Sequence, residues 1–363
     1  MARPLLRLLP VMIVSSSLLP LFLLFLLGTV SDAIAHKIPA VIVFGDSSVD
    51  PGNNNQIPTV AKSNFSPYGR DFPGGKPTGR FCNGRVATDF ISEALGIKPA
   101  VPAYLDPTYG IADFATGVSF ASAATGFDNA TANVLNVIPA WKQLDYFRDF
   151  VQKLRSYQGE AASAKTLNDS LYVISMGTND FVENYFATRT RRSEYTVAEY
   201  EEFVAGIAAD VVKRIYELGG RKMSVTGLPP MGCFPLERTM NFFSGSGSCR
   251  DDYNQVAVDF NRKMEAMVEK LGGELQGSTL VFTDVYGILM DAIAKPSSYG
   301  FENVEVACCA TGMFEMGYLC NKFNPFTCQD ANKYMFWDSF HPTEKTHHLM
   351  ADYFMNTLAT RLL

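Results

Sequence analysis

Charge is scarce in this chain, and histidine scarcer. Only 19% of the 363 residues are Asp, Glu, Lys or Arg; 31 basic residues face 37 acidic ones, giving a formal charge of −6 and a pI near 5.4. That balance excludes nucleic acid as a partner, because phosphate binding needs a basic field. No block of five like charges and no low-complexity tract occurs, which excludes disordered tails, collagen and coiled coil. There is no H-E-x-x-H and no paired C-x-x-C, so the usual zinc frameworks are missing, and no metal or cofactor is expected. There is also no G-x-S-x-G, which removes the nucleophile turn of an α/β-hydrolase. What is present is 47% hydrophobic residues, enough for a sizeable core.

The first 35 residues read as a secretory signal. Arg3 and Arg7 precede an apolar stretch from Leu8 to about Val30, and Ala33-Ile34-Ala35 offers small residues for cleavage after Ala35. A retained anchor is the rival reading, but Pro10, Pro20 and Ser15-Ser16-Ser17 weaken it as a span. Removing 35 of 363 residues leaves 328, residues 36–363, expected to form one soluble, secreted domain without a stable membrane anchor. Cysteine usage agrees with export. Cys233 and Cys249 bracket a Gly/Ser-rich loop, Ser244 to Ser248, and are expected to pair; Cys308, Cys309, Cys320 and Cys328 supply two more bridges of open connectivity. Cys82 is then left over as a buried or free thiol. Asn64, Asn129 and Asn168 head N-x-S/T sequons available for glycosylation.

Nearly continuous apolar runs at Ala40–Phe44, Gly117–Ala123, Ser170–Ser175, Met223–Thr226 and Thr279–Thr283 read as strands buried on both faces of a parallel sheet. Helical periods separate them. Val86–Leu95 is one; Ala140–Leu154 carries Trp141, Leu144, Phe147, Val151 and Leu154 on one face. A third starts at the Thr196/Glu199 capping box and runs through Phe203, Ile207, Val211, Ile215 and Leu218 to Gly219-Gly220. Asp251–Leu271, closed by Gly272-Gly273, and Thr343–Thr360 follow. Alternating β and α elements imply a sheet between helix layers, with the working site outside the strands' carboxyl ends.

Those ends hold the chemistry. After strand one comes Phe44-Gly45-Asp46-Ser47, where a serine on a sharp turn can present its hydroxyl, although Gly, Asp and Ser are also ordinary turn formers. A serine nucleophile needs a base. His36 sits at the cleavage point, and His347 and His348 lie within the last helix, on its surface or packed. His341 has Asp338 three residues before it, so a carboxylate can hold Nδ1–H and leave Nε2 free to accept a serine proton. Thr343 is also a candidate cap for the final helix. Gly177-Thr178-Asn179-Asp180 ends strand three, where an amide can serve a developing oxyanion, and Ser122-Ala123-Ala124-Thr125-Gly126 lets backbone approach a ligand after strand two.

The order of these blocks resembles the SGNH (GDSL) hydrolase superfamily. In finer detail the chain resembles the plant GDSL esterase/lipase family, through Phe44 to Ser47 with Asn53-Asn54-Asn55, Gly79-Arg80-Phe81 with Asn83-Gly84-Arg85, Leu228-Pro229-Pro230-Met231-Gly232-Cys233, Cys308-Cys309, and Phe336-Trp337-Asp338 through His341-Pro342. The resemblance implies a flavodoxin-like three-layer α/β/α fold with a mostly parallel five-stranded sheet, and a secreted ester hydrolase. It implies Ser47 as nucleophile, His341 as general base and Asp338 as the acid orienting it. The oxyanion hole would combine the Ser47 N–H, the Asn179 side chain and the Ala124 N–H. Ser48 replaces the motif's usual Leu, Ala124 its usual Gly after strand two, and Ser119 its usual Asn. Two alternatives stand beside hydrolysis: an acyltransferase using the same acyl-enzyme, and a secreted non-catalytic protein on this scaffold. The expected partner is an ester substrate of open acyl length; oligomeric state is not legible.

Overall fold

The computed structural model describes residues 38–243 and 245–362, so the signal segment, its cleavage point and His36 lie outside the described residues. Five strands, β1 (Val41–Gly45), β2 (Gly117–Ser119), β3 (Leu171–Ser175), β4 (Lys222–Thr226) and β5 (Thr279–Thr283), pair in parallel in the order β2-β1-β3-β4-β5. This is the flavodoxin-like order. Successive side chains of a strand enter different cores. Ile42 and Phe44 of β1 with Tyr172 and Ile174 of β3 join the larger cluster, whereas Val41, Val43 and Val173 join the smaller one. Hence these strands read as unbroken apolar runs.

The larger core is closed by α2 (Ala140–Gln158), α3 (Val197–Glu217) and α4 (Asp251–Glu274). The smaller lies under α1 (Ala87–Ala94) and α6 (Glu344–Leu362), with α5 (Val285–Ala294) following β5. The Thr196/Glu199 capping box opens α3 as expected. Thr343 caps α6, its hydroxyl accepting from the Thr346 N–H at 3.4 Å. Among the described residues no helix is long and apolar enough to cross a membrane.

Three local expectations are corrected. The β2 ladder stops at Ser119 rather than Ala123: the Phe120 and Ser122 N–H groups still donate to the Val43 and Gly45 carbonyls at 2.8 and 2.9 Å, but the Gly45 N–H turns to Gln143 Oε1 at 3.0 Å instead of returning to β2. Gly272-Gly273 does not end α4, which continues to Glu274; a glycine weakens a helix by only about 1 kcal/mol, and Val268 and Leu271 are buried just before it. Trp141 is 52% exposed, since the buried arc of α2 centres on Ala140, Leu144, Phe147 and Val151.

Disulfides join Cys233–Cys249, Cys308–Cys328 and Cys309–Cys320. The last two hold the segment beside Phe336-Trp337, whose carbonyls accept from the Cys308 and Cys309 N–H groups at 3.0 and 2.7 Å. Cys82 is free and buried, and burial pushes its thiol well above the ordinary range. Asn64, Asn129 and Asn168 are all exposed.

Candidate active site

The turn after β1 is built by close approach. A Cβ on Gly45 would lie 2.3 Å from the Ser175 carbonyl oxygen, so only glycine lets β1 and β3 run this near at their ends. Gln143 of α2 clamps the same residue, accepting from the Gly45 N–H at 3.0 Å and donating to its carbonyl at 2.9 Å. Asp46 then folds the chain over: Ser48 donates to its Oδ1 from both N–H and Oγ, at 2.9 and 2.8 Å. Ser48, in place of the usual Leu, thereby becomes part of the turn and also meets the Ser175 hydroxyl at 3.1 Å. Ser47 stands at the apex, buried, with an N–H that finds no acceptor among the described residues.

The C-terminal block brings its base to that apex. His341 Nε2 lies 2.9 Å from Ser47 Oγ, and its Nδ1 lies 2.8 Å from both Asp338 oxygens. Asp338 is fully buried and accepts further from the N–H groups of Phe340 and His341 at 2.9 and 2.7 Å. A fourth donor is absent from the sequence reading: Tyr68 OH gives Asp338 Oδ2 a 2.6 Å bond. Phe81 packs against the His341 ring at 4.8 Å between centroids. Arg80 serves the fold through a buried pair with Asp89 at 2.7 Å, and the Asn83 side chain accepts from the N–H of Glu344 at the start of α6.

The chain after β2 is held against the Ser47 turn by buried polar groups. Asp50 accepts from Gly52, Asn53 and Ala123 N–H, and Asn54 Nδ2 donates to the Ala61 and Ala123 carbonyls. These bonds deliver Ala124 in the left-handed region, φ +66°, which favours glycine and strains an alanine by about 1–2 kcal/mol. Asp180 gathers the next stretch, accepting from Phe127 and Asp128 N–H and Thr131 Oγ1. Thr125 O in turn takes one Asn179 amide hydrogen at 2.9 Å, fixing that side chain and leaving its other hydrogen free. Ser47, Ala124, Asn179 and His341 all line one open pocket of about 250 Å³, so the structure brings every expected site residue together. The Ala124 N–H, like that of Ser47, has no acceptor among the described residues.

One further group escaped the sequence reading, and a second, His347, was open there between surface and packing. Glu183 lines the same pocket from the π-helical stretch Asp180–Ala187, and its Oε2 is sealed off without a partner. Its carboxyl is pushed up to about 8, first by burial and then by Asp46 and Asp180. The signal was its spacing, four residues beyond Asn179 on a helical turn. His347 of α6 is 1% exposed, and burial holds its imidazole down at about 3, so it is neutral; His348 is on the surface.

Glu183 makes stability pH-dependent. The unfolded chain ionises this carboxyl near 4.5 and the folded one near 8, so the native form keeps a proton that the unfolded form releases. Its contribution is therefore complete below about pH 4.5 and lost as pH rises to about 8. Glu183→Gln is expected to melt higher than the parent at pH 8, by about 2 kcal/mol once partial exposure is discounted, and no higher at pH 4. Thermal melts across that range read the difference.

Residues 41–354 match the family described as GDSL-like Lipase/Acylhydrolase. A GDSL esterase/lipase of Arabidopsis thaliana is 63% identical over 337 residues, covering 93% of this chain and 95% of its own. A second from the same plant is 54% identical over 339 residues, covering 93% and 97%. Among solved structures, an acetylxylan esterase from Geobacillus stearothermophilus aligns over 89% of this chain and 96% of its own, at 13% identity and a TM-score of 0.40.

Proposed function

The chain belongs to the GDSL-like lipase/acylhydrolase family and is a carboxylic ester hydrolase, and on that premise we propose that it works as a secreted serine esterase through an acyl-enzyme on Ser47. The observation that carries the reading is the continuous chain Ser47 Oγ, His341 Nε2, His341 Nδ1, Asp338, with separations of 2.9 and 2.8 Å. Ser47 Oγ bonds to the ester carbonyl carbon while its proton passes to Nε2, and the carbonyl pair moves onto oxygen. That oxyanion faces the Ser47 and Ala124 N–H groups and the free Asn179 hydrogen. Collapse breaks the carbon–alkoxy bond; the alcohol leaves with the Nε2 proton, and the acyl group stays on Ser47. Water then adds to the acyl carbon as Nε2 takes its proton, and the second collapse returns that proton to Ser47 Oγ and frees the acid.

Export is supported by the signal-like N-terminus and three disulfides. Glycosylation at Asn64, Asn129 and Asn168 is supported by their exposure. The deciding experiment is hydrolysis of p-nitrophenyl esters from acetate to palmitate by the secreted protein and its Ser47→Ala variant. Release that disappears in the variant supports the reading; release that survives overturns it, and transester product formed with added alcohol redirects it to acyl transfer.

Asn179 yields a second expectation. Removing one oxyanion donor lowers kcat about 10²–10³-fold in comparable sites. Asn179→Ala is expected in that range with KM little changed, because the bond strengthens only as charge develops on oxygen. Steady-state kinetics on p-nitrophenyl acetate measures it.

A further inference from the structure

Ser47 and His341 also border a second space, which shares them and Phe340 with the open pocket. It runs inward between the sheet and α1, α5 and α6, has a volume of about 110 Å³, and is walled by Ile91, Val173, Leu289, Met350 and Phe354. By the volume a single water needs, this is room for roughly eight water-sized groups. Its walls are mostly apolar; of their polar members Asp46, Ser48, Ser175, Thr283 and Thr346 bond within the fold, and His347 does not. His347 lines it, 1% exposed, and neither ring nitrogen has a hydrogen-bond partner among the described residues.

We propose that this inner cavity is the acyl subsite, that it takes an aliphatic chain of medium length, and that His347 selects chains carrying a hydroxyl. The inference rests on Ser47 being the nucleophile. Once the carbonyl oxygen turns toward Ala124 and Asn179, the two halves of an ester diverge from the carbonyl carbon. The alcohol must leave and water must enter while the acyl group remains bonded, so the alcohol needs the open pocket. The second space has less than half the volume of the first and more aliphatic side chains in its lining, so it suits the half that stays. Apolar walls bind methylenes, each worth about fourfold when buried, so rate should rise with chain length until the cavity is full. An imidazole buried without partners lacks both an acceptor for its N–H and a donor for its other nitrogen, and a chain hydroxyl provides either. His347 bonds nothing through its ring, so the fold does not explain its polarity.

The test compares kcat/KM for p-nitrophenyl acetate, octanoate and a panel of monohydroxyoctanoates in the full secreted protein and three variants. Ile91→Trp and Met350→Trp fill the cavity from α1 and from α6; His347→Phe removes the imidazole. The filling variants are expected to lose octanoate about 10-fold or more while acetate stays within about twofold. His347→Phe is expected to lower the best hydroxyoctanoate-to-octanoate ratio about 10-fold without lowering thermal stability. An unchanged chain-length profile, or equal loss of acetate and octanoate in both filling variants that still melt cooperatively, overturns the subsite. An unchanged ratio in His347→Phe overturns the selection. Calorimetric binding of decanoate to Ser47→Ala separates the subsite from the chemistry. Binding abolished by adding Ile91→Trp supports the subsite even if the parent hydrolyses no ester; no binding, with ester hydrolysis intact, overturns the subsite alone.

Discussion

Ser47→Ala is expected to lower kcat on p-nitrophenyl acetate by at least about 10⁴-fold, with residual turnover coming from the oxyanion donors and binding alone. The size follows from what one atom does. Among the described residues Oγ is the only group hydrogen-bonded to His341 Nε2, so its loss removes both the bond to the acyl carbon and the proton donor. The rest of the turn is held by bonds that Ser47 does not make. Asp46 accepts from Ser48, Gln143 brackets Gly45, and the Asp46 N–H donates to Ser175 O at 3.0 Å. The variant should therefore fold and melt as the parent does, and KM should move little. A matched fluorophosphonate experiment separates an absent nucleophile from a damaged fold: the parent labels at Ser47, and the variant labels nowhere while its melt is unchanged.

That Ser47, Asn179, Asp338 and His341 could be picked out from sequence has a physical basis. Each lies within a few residues of a strand end or on one tight turn, and a parallel sheet places all its carboxyl ends on one edge. Short-range geometry and one topological rule were enough. Tyr68 was invisible for the opposite reason. It reaches Asp338 across 270 positions, from a loop with no periodicity to read. His347 read as surface or packing because a histidine on a helix carries no mark of which neighbours cover it; the sheet face above α6 decides that. Trp141 failed through angular arithmetic. At 100° per residue it falls about 60° outside the arc of Ala140, Leu144, Phe147 and Val151, a distance that i to i+3 spacing conceals. The Asn53-Asn54-Asn55 block was legible as a family mark but not as a device. Its amides bond the Ser119, Ala121 and Ala123 carbonyls and hold the chain after β2 on its way to Ala124.

Ala124 and Glu183 show what the site tolerates to hold its shape. Asp50 and Asn54 impose a left-handed backbone on Ala124, and burial keeps a proton on Glu183 that solvent would remove. Neither favours stability. Both border the pocket proposed to hold the oxyanion, and strain and shifted carboxyls concentrate in working sites.

Asp338→Asn should be the second most damaging change, lowering kcat about 10⁴-fold while leaving KM within a few-fold. The carboxylate accepts from four donors: Tyr68 OH, the Phe340 and His341 N–H groups, and His341 Nδ1. An amide of the same shape has one oxygen to offer. If that oxygen keeps the backbone donors at Oδ1, the NH₂ group sits where Oδ2 was, between Tyr68 OH and the imidazole. Tyr68 already accepts from the Gly317 N–H at 2.9 Å, so it relieves only part of the conflict. The imidazole resolves the rest by moving its proton from Nδ1 to Nε2. In that tautomer Nε2 donates toward Ser47 Oγ and has no lone pair for the serine proton, so attack stops at its first step. Tyr68→Phe is the control: it leaves Asp338 charged and the tautomer intact, and should cost about tenfold or less, one hydrogen bond to a charged group. Steady-state kinetics on all three proteins, with the rate of fluorophosphonate labelling at Ser47, separates the cases. A fall in labelling for Asp338→Asn that matches the fall in kcat, with Tyr68→Phe near the parent, places the defect in the proton transfer. Equal losses in both variants would place it in packing around the carboxylate instead.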